Sequence, residues 1–262
     1  MSEEKKSAGE LADKKHWIIR WSTSPVKTLP FNPFGRNFRD LHQLFKRRLP
    51  GKGEIRFLEI GCYPGRYLWY FSKYFGYHVC GIEYIDRCCE ETGKLLDSCG
   101  VSGRIIHADI FDYRPEAGEE LWDVVASFGL IEHFKDIQAV AARHLDLVKP
   151  GGHLVLVVPN HQGIYGKIMQ KVSPELYRVH RLLSREQIVE ALSSDGRSEI
   201  VEAGYYGRLG LGHTGIRERL GETNSCLRFL GRALIFSVEN FGRILPRSTV
   251  LSPFIAVVAR KK

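Results

Sequence analysis

The sequence predicts an α/β fold built around a parallel sheet. Five short apolar strands alternate with helices between residues 55 and 159. Such alternation is typical of crossover units, which place consecutive strands side by side in one sheet. The length of 262 residues and the 44% apolar content suit a globular chain that can bury a sizeable core without stabilisation by disulfides or structural metal ions. This composition excludes disordered, collagen-like and coiled-coil proteins.

The first half of the chain supplies the alternating elements. Residues 36–48 carry apolar side chains at helical spacing, after turns at three prolines. Apolar runs then predict strands, and the segments between them predict helices. The predicted strands are 55–60, 78–83, 104–109, 122–129 and 153–159, and the predicted helices are 67–75, 86–99 and 136–149.

The last third of the chain has a different pattern. A helix is predicted at 184–196 with Ser184 as its N-cap, followed by a strand at 198–207, a helix at 226–245 and a strand at 252–262. The extra residues between the two strands predict an insertion, not a second domain. We therefore expect a flexible tail at 1–16, an N-terminal lid or helix segment at 17–50, and one domain at 51–262 with an insertion at 207–249.

Positive charge is concentrated outside the middle of the chain. The formal net charge is +8, and residues 1–50 hold 11 basic and 5 acidic side chains. Residues 207–250 hold 7 basic and 3 acidic side chains, so the remainder is slightly acidic. This distribution is either ordinary solvated surface or the mark of an anionic partner near those two segments.

The six cysteines predict a reduced, cytoplasmic protein. They form no Cys-x-x-Cys pair, and the N-terminus is polar, without the apolar stretch of a secretory signal. No run of about 18 apolar residues predicts a membrane-spanning helix.

A glycine-rich turn after the first predicted strand is the strongest local signal. In residues 57–68, FLEIGCYPGRYL, Gly61 and Gly65 let a backbone approach a ligand closely, and the following helix offers free N–H groups. The pattern lacks the glycines of a dinucleotide-binding G-x-G-x-x-G, because Tyr63 and Arg66 occupy two of those positions. A nicotinamide cofactor is therefore disfavoured.

Acidic side chains end the next two predicted strands. Glu83 can accept both hydroxyls of a ribose bound at the first turn, and Asp109 can accept from an adenine amino group. Each residue alone could be a surface acid or a cap. Together, three consecutive strands end in ligand-suitable groups at the edge where open α/β sheets bind ligands.

With these motifs the sequence resembles the class I S-adenosylmethionine-dependent methyltransferases over about residues 54–160. The first motif, E-x-G-x-G-x-G, is matched by Glu59, Gly61, Tyr63 and Gly65. Glu83, Asp109 in ADIFDY, the segment WDVVASFGLIEHF and the segment KPGGHLVLVVPN follow in the family's order. The resemblance implies a Rossmann-like, seven-stranded sheet whose last strand is antiparallel.

The resemblance also implies roles for individual residues. Glu59 would orient the methionine end of S-adenosylmethionine, and the backbone of Gly61 to Gly65 would cradle the cofactor. Glu83 would bind the ribose and Asp109 the adenine, with Ile110 against the adenine edge. The methionine and methyl end would be lined by Ser127, Phe128 and Gly129.

Tyr63 departs from the family pattern, which has a glycine at this position. A tyrosine does not readily adopt a positive φ, so the turn requires a negative φ or carries strain. Its ring could also stack on the cofactor or cover it. This departure supports one alternative function, a non-catalytic binding protein on a methyltransferase scaffold.

His133 is the first candidate for a catalytic base, because it follows the fourth strand and a hydroxyl or ammonium acceptor must lose a proton. The competing interpretation is that Glu132 and His133 simply open the next helix. His180 is a weaker candidate, and His161 and His213 are weaker still. No spacing of histidines and carboxylates predicts a metal site.

The expected acceptor is an oxygen or nitrogen of a small metabolite, which could be anionic, saccharide-like or lipid-linked. Trp17, Arg20 and Trp21 could form a lid, or a helix that packs on the sheet. The leucine- and arginine-rich residues 225–244 could be core, an acceptor pocket or a surface that touches a membrane.

Nucleic acid is disfavoured because no RNA-binding motif is present, although an RNA methyltransferase stays as an alternative. The oligomeric state is left open.

Overall fold

The computed structural model describes residues 9–23, 38–51, 53–116, 118–211, 214–221, 225–242 and 244–262. Residues 1–8 of the predicted tail, the prolines at 25, 30 and 33, and His213 lie outside these residues.

The described residues form a seven-stranded sheet in the order β3-β2-β1-β4-β5-β7-β6. Strands β1 to β5 are parallel, and β7 runs antiparallel to both of its neighbours. The predicted Rossmann-like sheet with an antiparallel last strand is therefore confirmed. The strands are β1 Arg56–Ile60, β2 His78–Glu83, β3 Gly103–His107, β4 Trp122–Phe128, β5 Val148–Pro159, β6 Ser198–Tyr206 and β7 Phe254–Lys261.

The described helices cover the two faces and the carboxyl edge of the sheet. They are α1 Lys14–Thr23, α2 Arg39–Arg48, α3 Arg66–Phe75, α4 Asp86–Ser98, α5 Ile137–Leu147, α6 Ile164–Val172, α7 Pro174–Arg178, α8 Arg185–Ser193, α9 Ile216–Gly221 and α10 Ser225–Phe241, with a short 3₁₀ turn at Ile131–His133. None of the helices in the described ranges is long and apolar enough to cross a bilayer.

Two apolar layers hold the sheet. Because successive side chains of a strand point to opposite faces, Leu154 and Leu156 of β5 join one layer and Val155 and Val157 join the other. The first layer is completed by α5 and α8, and the second by α2 and α3. The central strands are buried on both faces, as expected for a parallel sheet covered by helices.

The predicted elements agree with the structure except at a few places. Strand β5 starts at Val148, upstream of the predicted 153, because residue 148 pairs with Trp122 across a register shift. Helices α6, α7 and α9 were not predicted. They are 5 to 9 residues long, and α6 is fixed by burial of Tyr165 and Met169.

The late segment between β6 and β7 leaves the sheet at a defined edge. Strand β6 is parallel to β1–β5, so β6 ends, and β7 begins, at the edge formed by the carboxyl ends of the parallel strands. The predicted insertion at 207–249 thus starts and finishes at the edge where open α/β sheets bind ligands.

Candidate active site

The turn after β1 has the open backbone that the sequence predicts. Gly61 and Gly65 have φ values of 72° and 88°, in the left-handed region that favours glycine. A Cβ added at Gly65 would lie 2.9 Å from Thr92 Cγ2, so that position also needs a residue without a side chain. Gly65 then starts α3 as its N-cap.

Tyr63 fits this turn with a negative φ, since no non-glycine residue in the described part of the chain has a positive φ. The Tyr63 hydroxyl donates to Glu91 Oε2 at 2.9 Å, and its ring lies 5.2 Å from the ring of Trp21. Tyr63 therefore anchors the turn to α4 and touches α1. The left-handed strain that motivated a non-catalytic function is absent.

Glu59 lies directly behind this turn at the end of β1. Its carboxyl is buried, and among the described residues Oε2 has no hydrogen-bond partner. Burial raises the pKa of Glu59 well above its usual value, against the smaller lowering effect of the Leu68 backbone N–H. A buried polar atom without a partner carries a cost of about 1–3 kcal/mol, which a polar ligand would relieve.

Glu83 is the last residue of β2, and one oxygen of its carboxyl accepts hydrogen bonds from the backbone. Oε1 accepts from the backbone N–H groups of Tyr84 and Ile85 at 2.9 and 3.0 Å. Burial raises the pKa of Glu83, and the backbone hydrogen bonds, including one from Tyr63, lower it in part. A carboxylate can accept about four hydrogen bonds, so capacity remains for a ligand hydroxyl.

Asp109 follows β3 and shapes the next turn. Its Oδ1 accepts from the Phe111 backbone N–H at 2.8 Å. Ile110 beside it is buried. Both residues line the same cavity as Glu83. The carboxyl ends of β1, β2 and β3 therefore meet around one cavity, as the sequence predicts.

The cavity at this edge collects most of the predicted site residues. Those that line it are Gly61, Tyr63, Glu83, Asp109, Ile110, Gly129 and His133. Four predicted residues, Glu59, Gly65, Ser127 and Phe128, do not line it. Ser127 is buried, and the ring of Phe128 stacks at 3.7 Å on Tyr67, which places both behind the cavity wall.

Helix α1 covers this cavity with two indole rings. Trp17 and Trp21 both line it and are stacked with their centroids 6.3 Å apart. The segment before α1 is tied to the core, because the Leu11 backbone N–H donates to the His133 carbonyl and the Lys135 N–H donates to the Gly9 carbonyl. The segment predicted as a lid or as a packed helix is thus a helix whose two indole rings line the cavity, and its function as a lid stays a prediction.

His133 is held in one orientation at the β4 end of the cavity. Its Nδ1 lies 2.7 Å from the Val179 carbonyl oxygen, so Nδ1 carries the proton and Nε2 keeps a lone pair. The ring contacts those of Trp17 and His180, with centroids 4.5 and 4.4 Å away. Burial, with a contribution from His180, lowers the pKa of His133 to about 3. The imidazole is therefore neutral at physiological pH.

Two further groups complete this end of the site. Glu132 is buried, its Oε2 has no partner among the described residues, and burial raises its pKa to about 8. His180 places Nδ1 2.6 Å from the Leu176 carbonyl oxygen, and its ring is 4.9 Å from that of His161. The ligand atoms of Glu132, His133 and His180 lie within 4.8 Å of one another, a spacing at which they could hold a metal ion. The predicted absence of a metal stays a prediction.

Glu132 and His133 lie in the 3₁₀ turn at Ile131–His133, and α5 begins only at Ile137 with Asp136 as its N-cap. They therefore lie in a separate 3₁₀ turn and do not open α5, and the role of His133 as a base stays a prediction. His161 is buried beside His180.

Sequence reasoning missed several of the lining residues. Most are apolar residues next to predicted positions, and only the geometry of the turns determines that they face the cavity. The missed residues are Glu10, Ile60, Ile82, Tyr84, Ala108, Leu130 and Phe134. Glu10 forms an isolated bridge with Phe134, and no local sequence signal predicts that contact across the fold.

Comparison with known proteins agrees with this architecture. The family described as a methyltransferase domain matches residues 34–196, more than half of the chain. No curated protein sequence matches this chain significantly.

Solved structures share the fold at low sequence identity. A putative methyltransferase from Bacillus halodurans C-125 has a TM-score of 0.59 at 15% identity, covering 85% of this chain and 99% of its own. A putative sarcosine dimethylglycine methyltransferase from Galdieria sulphuraria has a TM-score of 0.59 at 12% identity, covering 95% and 97%.

A third similar structure was crystallised with ligands. Geranyl diphosphate C-methyltransferase from Streptomyces coelicolor A3(2), in complex with Mg²⁺, geranyl diphosphate and S-adenosyl-L-homocysteine, has a TM-score of 0.56 at 14% identity, covering 85% of this chain and 78% of its own.

The motif order, the sheet topology and the family match lead to one conclusion. This chain belongs to the methyltransferase-domain family and is a class I S-adenosylmethionine-dependent methyltransferase.

Proposed function

We propose that this methyltransferase acts on an oxygen or nitrogen of a small acceptor, with His133 as the base. The observation that carries the proposal is the geometry of His133, whose imidazole is oriented by the Val179 carbonyl in the wall of the same cavity as Glu83 and Asp109. The acceptor itself is expected to be a metabolite with an anionic, saccharide-like or lipid-linked part.

The residues around the cavity suit S-adenosylmethionine. Glu83 retains hydrogen-bonding capacity for ribose hydroxyls, and we propose that Asp109 and Ile110, which line the same cavity, bind the adenine. Oε2 of Glu59 and the hydroxyl of Tyr84 have no hydrogen-bond partner in the described part of the chain, and a polar ligand would supply one. When bound, the cofactor supplies an electrophilic methyl group on a sulfonium.

The chain's own residues supply alignment, exclusion of water and proton removal. Trp17 and Trp21 shield the cavity from solvent, which strengthens electrostatic interactions inside it. The Val179 carbonyl fixes His133 so that Nε2 can receive the acceptor's proton. Glu132 and His180 border this base, and we propose that they orient the acceptor without a metal ion.

The remaining assignments follow from chemistry and composition. All six cysteines are free, which supports our proposal of a cytoplasmic location. We propose a small acceptor and not RNA, because the sequence contains no recognisable RNA-binding motif and its net charge of +8 over 262 residues is modest. Methyl label appearing in RNA would overturn this choice.

The role of His133 is tested by transfer of labelled methyl to metabolite and lipid extracts. His133→Gln should lower kcat by about 10²–10⁴-fold, the usual contribution of a general base. Affinity for S-adenosylhomocysteine, measured by calorimetry, should change little. His107→Gln, at an exposed histidine, is the matched control.

Retention of at least a third of the wild-type kcat in His133→Gln would contradict the assignment of the base. Activity that is lost with a chelator and restored by a divalent metal ion would contradict the proposed metal-free mechanism.

A further inference from the structure

The exposed face of helix α10 is strongly apolar. Large apolar side chains of this helix and the residues after it are 36–76% exposed. They are Leu227, Phe229, Leu230, Leu234, Phe236, Val238, Phe241 and Ile244. Contiguous exposed apolar surface of this kind marks an interaction site.

The apolar face covers more than half of the helix circumference. At about 100° per residue, the arc from Phe236 around to Val238 spans roughly 200°. Within it, the only polar side chains are Ser237 and Asn240. A helix that packs on one protein partner usually presents an apolar stripe only somewhat wider than 100°. The wider arc fits immersion in a fluid apolar phase better than docking to a second copy of the chain.

The opposite side of α10 attaches to the body of the protein. Ile235 packs with Tyr165 and Leu211 in a small cluster, and Glu239 accepts from the Leu211 backbone N–H at 3.0 Å. A Cβ at Gly231 would lie 2.5 Å from Leu220 Cδ2, which shows how closely α10 approaches α9. The exposed arc is therefore held facing away from the core.

The charges of this region complement an anionic surface. Arg232 lies at the border between the apolar arc and the buried side, while Arg228, one turn earlier, projects in the direction of Ile235 and Glu239 and is half-buried. The only acidic residue in α10, Glu239, is buried, and residues 207–250 hold 7 basic against 3 acidic side chains. A basic residue at the border of an apolar arc, as Arg232 is here, is typical of helices that lie in the interface of anionic membranes.

We propose that α10 docks this enzyme on the surface of an anionic lipid bilayer, with its apolar arc inserted among the lipids. The helix belongs to the segment that leaves and re-enters the sheet at the carboxyl edge, where the cofactor cavity also lies. The apolar cluster around Ile235 of α10 includes residues of α6, a helix that begins just after His161. The ring of His161 contacts that of His180, which in turn contacts His133 in the cavity wall. A docked enzyme would hold its acceptor end near the bilayer.

Sedimentation of the full-length protein with vesicles tests the proposal. Vesicles of phosphatidylcholine with a third phosphatidylglycerol should bind the protein, and pure phosphatidylcholine should bind it much more weakly. Phe229→Ser with Phe236→Ser should lower the partition coefficient about tenfold or more, since both side chains are exposed and contribute mainly to lipid contact. Arg228→Ser with Arg232→Ser should remove most of the preference for anionic vesicles.

Ile19→Ser is the matched control, because Ile19 is a similarly exposed apolar residue on another helix. It should leave vesicle binding unchanged, and an equal loss in Ile19→Ser would overturn the assignment to α10. Absence of binding to both vesicle types would overturn the proposal. If the wild type does not bind vesicles and ultracentrifugation shows that it is a dimer, which the paired phenylalanine substitutions abolish, the face would instead be assigned to self-association. Cofactor affinity, measured in parallel, reports separately on the proposed function.

Discussion

Single residues at the ends of parallel strands line the candidate active site. Glu83 and Asp109 come from different strands and line one cavity only because neighbouring parallel strands end at the same edge. Their positions were predictable because an acidic residue stands where each apolar run stops. His180 and Trp17 were harder to place, since their contacts with His133 join segments far apart in the chain.

Loss of either strand-end carboxylate should weaken cofactor binding. Glu83→Ala and Asp109→Ala should each reduce affinity for S-adenosylhomocysteine by about 1–3 kcal/mol, the usual effect of removing a hydrogen bond to a charged group. Titration calorimetry measures both, with Glu90→Ala, at an exposed carboxylate of α4, as the control. Unchanged affinity in both variants would contradict the placement of the site.

At the scale of elements, strong hydrophobic periodicity made prediction reliable. The strands of the first half and helices α2 to α5 agree with their predicted positions to within a few residues. Short helices such as α7 have little periodicity, and their tertiary contacts, not their own sequence, determine them. The path of α1 over the cavity depends on backbone pairing near Phe134, which no local pattern encodes.

Helix α1 should act as a lid that slows release of the cofactor. Trp17→Ala with Trp21→Ala should raise the dissociation rate of S-adenosylhomocysteine about tenfold, because the contacts of two half-buried indole rings with the cavity are lost. Stopped-flow fluorescence can measure this rate. Ile18→Ala with Ile19→Ala, at exposed positions of the same helix, should leave the rate near that of the wild type. Equal rates in all three proteins would show that α1 does not close the site.

At the scale of the whole molecule, buried neutral histidines link stability to pH. His144 in α5 is fully buried, its Nδ1 bonds to the Val140 carbonyl, and burial lowers its pKa to about 4. Between pH 4 and its unfolded value near 6.5, the unfolded chain binds more protons at this residue than the folded chain. The folded state therefore loses stability as the pH falls through this window.

Replacement of His144 by an apolar residue should reduce this acid sensitivity. We expect His144→Leu to lose less stability than the wild type between pH 7.5 and pH 4.5, by up to about 3 kcal/mol. Urea unfolding at the two pH values measures the difference. A stability difference between variant and wild type that is the same at both pH values would contradict the role of His144.

The positive charge of the chain is concentrated in particular parts of the structure. The slightly acidic middle of the sequence forms the strands around the cofactor cavity, and the basic excess at 207–250 lies in the segment that carries α10. The sequence predicted this separation from composition, but the exposed apolar arc could be recognised only once the buried side of α10 was known.

Binding of the cofactor product to the full-length protein tests whether the carboxyl edge of β1, β2 and β3 holds the cofactor. Calorimetric titration of the full-length protein with S-adenosylhomocysteine should give saturable binding to one site per chain, weakened in Glu83→Ala and Asp109→Ala. No heat of binding at millimolar ligand, in protein that is folded by circular dichroism, would contradict the account.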